Sequence, residues 1–113
     1  MKHITKDSGV RHTSPSGYQR DTQGDKPRFD LMLLENVAYK DQPLTLFAEL
    51  LSRGAKKYKP RNFELADSKE DLDRAKSSLL RHCIQAVTGE EDEDHYSAIM
   101  FNVWQVLSIK NKQ

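Results

Sequence analysis

Cysteine is nearly missing from this chain: Cys83 is the single one among 113 residues. One thiol excludes an internal disulfide and a multi-cysteine zinc site, and its place in an apolar helical stretch reads as a packed side chain. The sequence also lacks an apolar run long enough to cross a bilayer and the short apolar core of a secretion signal. A cytoplasmic protein with no membrane partner is therefore expected. Neither sign of charge dominates, because the formal net charge is only +1. No global field draws the chain toward nucleic acid, and no nucleic-acid partner is expected. Bulky apolar side chains are scarce as well: the hydrophobic fraction is 36%, mean hydropathy is −0.80, and residues 1–28 hold almost none.

What is present divides the chain in two. Residues 1–28 read as a polar N-terminal arm, partly ordered or disordered, in which Ser8-Gly9, Ser14-Pro15-Ser16-Gly17 and Gly24-Asp25 are turn chemistry rather than periodic structure. Residues 29–113 must supply the core as a single helical domain. Residues 31–41 read as a short helix or an irregular packed segment. A helix is expected from about Gln42-Pro43, with Leu44, Leu46, Phe47, Leu50 and Leu51 at helical spacing and Gly54 as its stop. A second opens at Ser68 as N-cap, with Asp71 at the third helical position. It runs through Leu72, Ala75, Leu79, Leu80, Cys83, Ile84 and Val87 to Gly89. The last begins in the acidic run 89–95 and carries Tyr96, Ile99, Met100, Val103, Trp104, Val106 and Leu107 toward the basic end Lys110–Lys112. No internal repeat is visible. The expected fold is a small all-α helical bundle with an extended polar arm. So small a core predicts a homo-oligomer, a dimer or tetramer.

Two charged clusters carry the chemistry. Arg53, Lys56, Lys57, Lys59 and Arg61 crowd one turn, with Tyr58 among them and Asn62 at its end. Lysine binds phosphate as a point charge and arginine as a bidentate fork, Gly54 permits close backbone approach, and Tyr58 can stack on a base. The alternative is a solvated basic loop. In the acidic run, Glu91 and Asp94 are three apart, as are Glu90 and Glu93, so either pair would share a helical face and offer oxygen ligands to Mg²⁺ or Mn²⁺. Acids at a helix start are favourable without any metal, and that reading stands beside the first. Arg81-His82 interrupts an apolar helix, where a lone histidine is more often a satisfied core residue than a ligand. Asn102 lies between Phe101 and Val103, where its amide needs partners. If His82, Asp94, His95 and Asn102 converge, they make a polar pocket between two helices.

The chain resembles the phage dATP/dGTP diphosphohydrolase (MazZ-like) family of the all-α nucleotide pyrophosphohydrolase (MazG-like) group. The resemblance rests on Arg20-Asp21 followed by Gly24-Asp25-Lys26-Pro27-Arg28-Phe29-Asp30-Leu31, and on Gly54-Ala55-Lys56-Lys57-Tyr58 with Arg61-Asn62-Phe63-Glu64. Arg81-His82, Gly89-Glu90, Glu93-Asp94-His95 and Asn102 complete it. It implies hydrolysis of a purine deoxynucleoside triphosphate, dGTP or dATP, to the monophosphate and pyrophosphate with Mg²⁺ or Mn²⁺, in the cytoplasm of the phage's host. It further implies that Lys56, Lys57 and Arg61 meet phosphates and that Glu49, Glu90, Glu93 and Asp94 hold metal. By the same likeness His82, His95 and Asn102 position water or base, with Tyr58, Asn62 and Arg81 also on the substrate and Lys26 and Arg28 closing over it. Glu93, Asp94, His82 and His95 form the implied catalytic set. The chain departs from MazG-type enzymes in lacking two adjacent glutamates with a third three residues on; Glu49 is the only acid on the helix before Gly54.

Three functions remain open on this reading. The first is the metal-dependent pyrophosphohydrolase. The second is a protein that captures a nucleotide, such as a host signal, without cleaving it. The third is a small interaction protein whose charged clusters pair across a dimer interface.

Overall fold

The computed structural model describes residues 7, 9–21 and 24–113, so of the expected turns Ser8 lies outside the described residues. The chain forms two units, Met1–Leu31 and Met32–Gln113. In the first, β1 (Arg11–Thr13) pairs antiparallel with β2 (Gln19–Asp21), Arg11 opposite Asp21. Ser14 donates to the carbonyl of Tyr18 at 2.8 Å and accepts from Gly17 at 2.9 Å. Gly17 takes φ 86°, a conformation that suits glycine at the end of a three-residue hairpin loop. The arm thus contains a small hairpin where the sequence reading expects turns alone. Its strands carry no apolar alternation, so nothing in their pattern announces them.

In the second unit, Gln42 sets the entry to α1 (Pro43–Lys57). Its side chain accepts from Leu34 N at 2.8 Å and donates to the carbonyls of Leu34 (2.8 Å) and Val37 (2.9 Å). That closes the loop through Asn36, which sits at φ 62°. Pro43 occupies the first turn, where its missing N–H costs nothing. The helix does not stop at Gly54 as expected. Its carbonyl accepts from Tyr58 N at 2.9 Å, and the helix runs on to Lys57. Ala55, Lys56 and Lys57 are good helix formers, and two lysines in the last turn suit the dipole.

Helix α2 (Lys69–Val87) opens on the expected capping box: Ser68 Oγ accepts from Asp71 N at 3.0 Å, and the Asp71 carboxylate accepts from Ser68 N at 3.4 Å. Gly89, at φ 86°, follows its end. Helix α3 (His95–Lys110) starts later than expected, because Asp94 caps it by accepting from Ser97 N at 3.1 Å. Residues 90–94 therefore form the connection before the helix. The Glu90/Glu93 and Glu91/Asp94 pairs do not share a helical face, since a capping aspartate ends the connection one residue ahead of the first helical turn.

Helix α3 packs mainly on α2 and then on α1. Phe47 of α1 meets Trp104 of α3 (ring centroids 5.4 Å), and Phe63 meets Phe101 edge-on at 6.1 Å. Among the described residues the buried apolar ones are Phe47, Leu72, Ala75 and Ile109, alongside the buried polar Gln42, His82, His95, Ser97 and Asn102. Leu80, Ile84 and Val87 of α2, and Tyr96, Met100, Val103, Trp104 and Leu107 of α3, are exposed rather than packed inside. On α2 and α3 polar residues share the inner position with apolar ones: His82 beside Leu72 and Ala75, and His95, Ser97 and Asn102 beside Ile109. Among the described residues no helix is long and apolar enough to cross a membrane.

Candidate functional site

A groove of about 1370 Å³ runs between the segment after α1 and the facing sides of α2 and α3. One wall is the basic turn, with Arg53, Gly54, Lys57, Tyr58, Lys59, Arg61 and Asn62. Arg74 and Arg81 come from α2, and Glu93, Asp94, Asn102, Trp104 and Gln105 from the connection and α3. The two oppositely charged clusters therefore do meet in one cavity. A Cβ built on Gly54 would meet nothing within 4 Å, so the backbone there is open to an approaching ligand.

Local chemistry shapes the basic wall. Lys57 Nζ stands 5.3 Å from the centre of the Tyr58 ring. Arg61 is held at φ 62°, a left-handed conformation that costs a non-glycine residue about 1 kcal/mol. Its guanidinium pairs with Glu64 at 2.8 Å. The turn is tied down at its far end, where Gln105 Nε2 donates to Phe63 O at 2.8 Å and Lys112 reaches the carbonyls of Glu64 and Ala66.

Behind the acidic wall lies a buried polar layer. His82 and His95, 7% and 2% exposed, bring their Nδ1 atoms to 2.9 Å. Glu93 Oε1 stands 3.3 Å from His82 Nδ1 and 3.7 Å from His95 Nδ1. On its other side His95 Nε2 meets Asp92 Oδ1 at 2.8 Å. That bond from His95 holds the Asp92 carboxyl below the usual range. Burial lowers the His82 pKa from its ordinary value of 6.5, against the opposing pull of Glu93. One step along, Asn102 Nδ2 donates to Ser78 Oγ at 3.2 Å and to Ala98 O at 2.9 Å, satisfying an amide that is 5% exposed. Ser97 Oγ donates to Asp94 at 2.5 Å.

Of the sequence candidates, Lys57, Tyr58, Arg61, Asn62, Arg81, Glu93, Asp94 and Asn102 line the groove, while Lys56 does not. His82 and His95 converge outside the lining set. Lys26 and Arg28 belong to the first unit, where Lys26 faces Asp21 at 3.4 Å and Arg28 is paired with Asp30 at 2.7 Å. Among the described residues two sets of ligand atoms converge within 4.8 Å: His82 with Glu93 and His95, and Glu90 with Asp92 and His95. Glu49 and Asp94 are in neither set, and Glu90 accepts from Gln85 Nε2 at 3.0 Å. Of the four expected metal ligands, Glu93 alone is in both the groove wall and a converging set. Sequence reasoning missed Ser78, Asp92, Ser97, Arg74 and Gln105. Ser78 and His82 continue the buried α2 face of Ala75 one turn at a time, and polar residues at those apolar-stripe positions were the available signal.

No curated protein and no solved structure matches this chain at a significant level. A family model described as dATP/dGTP diphosphohydrolase, N-terminal, matches residues 16–113, which takes in the basic turn, the acidic connection and all three helices. The chain belongs to the dATP/dGTP diphosphohydrolase family.

Proposed function

We propose that the groove binds a purine deoxynucleoside triphosphate, dGTP or dATP, and hydrolyses it to the monophosphate and pyrophosphate. One observation carries this reading: the basic turn and Arg81 face Glu93 and Asp94 across a single cavity. Arg53, Lys57, Lys59, Arg61 and Arg81 neutralise and orient the phosphate chain, the arginines by their planar forks and the lysines as point charges. Tyr58 and Trp104 offer ring faces to the base. Glu93 holds its carboxylate at the groove wall, where it can take the proton of an attacking water. A divalent ion, Mg²⁺ or Mn²⁺, would be held on the Glu93 side; when bound it supplies positive charge to the phosphates and acidifies water.

The test is product analysis with each deoxynucleoside and ribonucleoside triphosphate, with Mn²⁺ and with EDTA. Metal-dependent monophosphate and pyrophosphate are the expected products. Intact nucleotide throughout would sink the hydrolase. A second reading, capture without cleavage, draws on the thin carboxylate set, since Glu49 and Glu90 stand outside the groove lining. Tight nucleotide binding by calorimetry with no products would favour it.

We propose further that a second copy of the chain covers the exposed apolar residues of α2 and α3, giving a dimer or tetramer. Val87 is 85% exposed, and Leu80, Ile84 and Val87 recur at helical spacing. Sedimentation as a single-chain species would end this proposal.

A further inference from the structure

The three atoms His82 Nδ1, His95 Nδ1 and Glu93 Oε1 form a triangle with sides of 2.9, 3.3 and 3.7 Å. Ligand atoms bonded at about 2.1 Å to one ion stand roughly 3.0–3.4 Å apart. The triangle is thus already close to the size that one ion would cap. Its chemistry is two imidazole nitrogens and one carboxylate oxygen. That set suits a borderline transition ion far better than Mg²⁺, which seeks oxygen and keeps its waters.

A second observation points the same way. Asp92 accepts from His95 Nε2 at 2.8 Å, which puts the ring proton on Nε2 and leaves a lone pair on Nδ1. A carboxylate behind a histidine is the usual outer support of a metal-binding imidazole. In the ion-free state the neighbouring ring fills that lone pair, so the Nδ1 proton of His82 stands between the two nitrogens. The other converging set is less suited. Its two acids are exposed, and Glu90 and Asp92 are already engaged by Gln85 and His95.

We propose that His82, His95 and Glu93 bind one borderline transition-metal ion such as Zn²⁺ or Co²⁺, with Asp92 as the outer support. Two ligands are buried and come from two different helices, so folding positions them before any ion arrives. The third, Glu93, belongs also to the groove wall, so the triad adjoins the proposed phosphate-binding cavity. For the ion to bind, neutral His82 moves its single ring proton from Nδ1 to Nε2 by exchange with solvent, which frees both Nδ1 lone pairs with no net proton released. This site stands on its own geometry, and rests on the hydrolase reading only for the ion's use in catalysis.

The experiment is a titration of the metal-free full chain with Co²⁺ in the absence of nucleotide, followed by visible absorption and competed with Zn²⁺ and then Mg²⁺. One equivalent with ligand-field bands, displaced by Zn²⁺ and not by a large excess of Mg²⁺, is expected. Asp92→Asn should weaken binding by roughly 10- to 100-fold. Glu93→Gln, at a side chain that is largely exposed and so tolerant of change, should weaken it at least as much. His82→Asn should abolish the bands. Co²⁺ binding unaffected by Glu93→Gln and His82→Asn would overturn the proposal, as would equal competition by Mg²⁺ or no binding at all. Because nucleotide is absent, a failed titration leaves the hydrolase to be judged by its products.

Discussion

Gln105 of α3 donates a side-chain N–H to the main-chain oxygen of Phe63, 42 residues earlier in the chain, at 2.8 Å. With the Lys112 contacts to Glu64 and Ala66, that bond anchors the segment following the basic turn to the helix that forms the opposite wall. Gln105→Leu leaves the Phe63 carbonyl without this partner, and should cost about 1 kcal/mol of stability. Because the turn then moves more freely, nucleotide affinity should fall by more than stability alone accounts for. Thermal unfolding and calorimetric titration with a non-hydrolysable dGTP analogue on the same variant check both; unchanged affinity would mean that the turn holds its shape without α3.

Arg61 separates strain from function. Arg61→Gly removes a side chain held at φ 62° and should raise stability by about 1 kcal/mol. The same change removes a fork from the groove and should weaken nucleotide binding about tenfold, in the range of a lost charge-assisted contact. The urea midpoint and KM should therefore both rise, giving a more stable protein that holds its nucleotide more weakly. A variant that is both more stable and equally tight would remove Arg61 from the phosphate-binding set.

The cap of α2 predicts an acid-side response. The Asp71 carboxyl lies below its ordinary value of 3.8, chiefly through the Asp67 N–H and then through Ser68. Its proton is bound more readily in the unfolded chain, so the stabilisation is complete above pH 3.8 and is lost as pH falls through the lower folded value. Asp71→Asn, which does not ionise, should sit below wild type at neutral pH and converge on it under acid. Ser68→Ala should cost about 1 kcal/mol at neutral pH. Parallel curves for wild type and Asp71→Asn down to strong acid would show that the carboxyl does not act through its charge.

Self-association is tested on the outer face of α2. Ile84→Lys and Val87→Lys place charge on side chains that are exposed in the single chain, so they should leave its circular dichroism intact. If a second copy covers this face, sedimentation velocity should shift to a lighter species for either variant. An unshifted oligomer would place the interface elsewhere.

The features that were legible in the sequence are those that short stretches decide for themselves. Ser68 and Asp71 make their box within one turn, and Pro43 begins α1 as its chemistry demands. Each of the two charged clusters was legible as a dense local run, whereas their meeting in one cavity is tertiary. Three other things were not legible. Gly54 looks like a stop until the three good helix formers after it are weighed. The acidic run looks like a helix start until Asp94 is recognised as the cap. The inner face of α2 and α3 carries His82, His95, Ser97 and Asn102 beside Leu72, Ala75 and Ile109, while Leu80, Ile84, Val103 and Leu107 stay exposed. Which face turns inward depends on what the opposite helix offers, and apolar periodicity alone points the other way. The triad of His82, His95 and Glu93 is tertiary in the same sense, since its partners are recognisable only once α2 and α3 lie side by side.

The connection between those two helices also bears on how the molecule assembles. His82 and His95 are separated by thirteen residues, with Gly89 making the bend between them. A loop so short closes at little entropic cost, whereas bringing α1 against α3 must close a far longer one. The α2–α3 pair is therefore the natural nucleus of folding, and α1 docks on it late. Substitutions at Ala75 or Asn102 should slow refolding, while truncation of Phe47 should mainly quicken unfolding. The functional layer would then be present while the chain is still half folded, and phi values near zero along α2 would reverse that order.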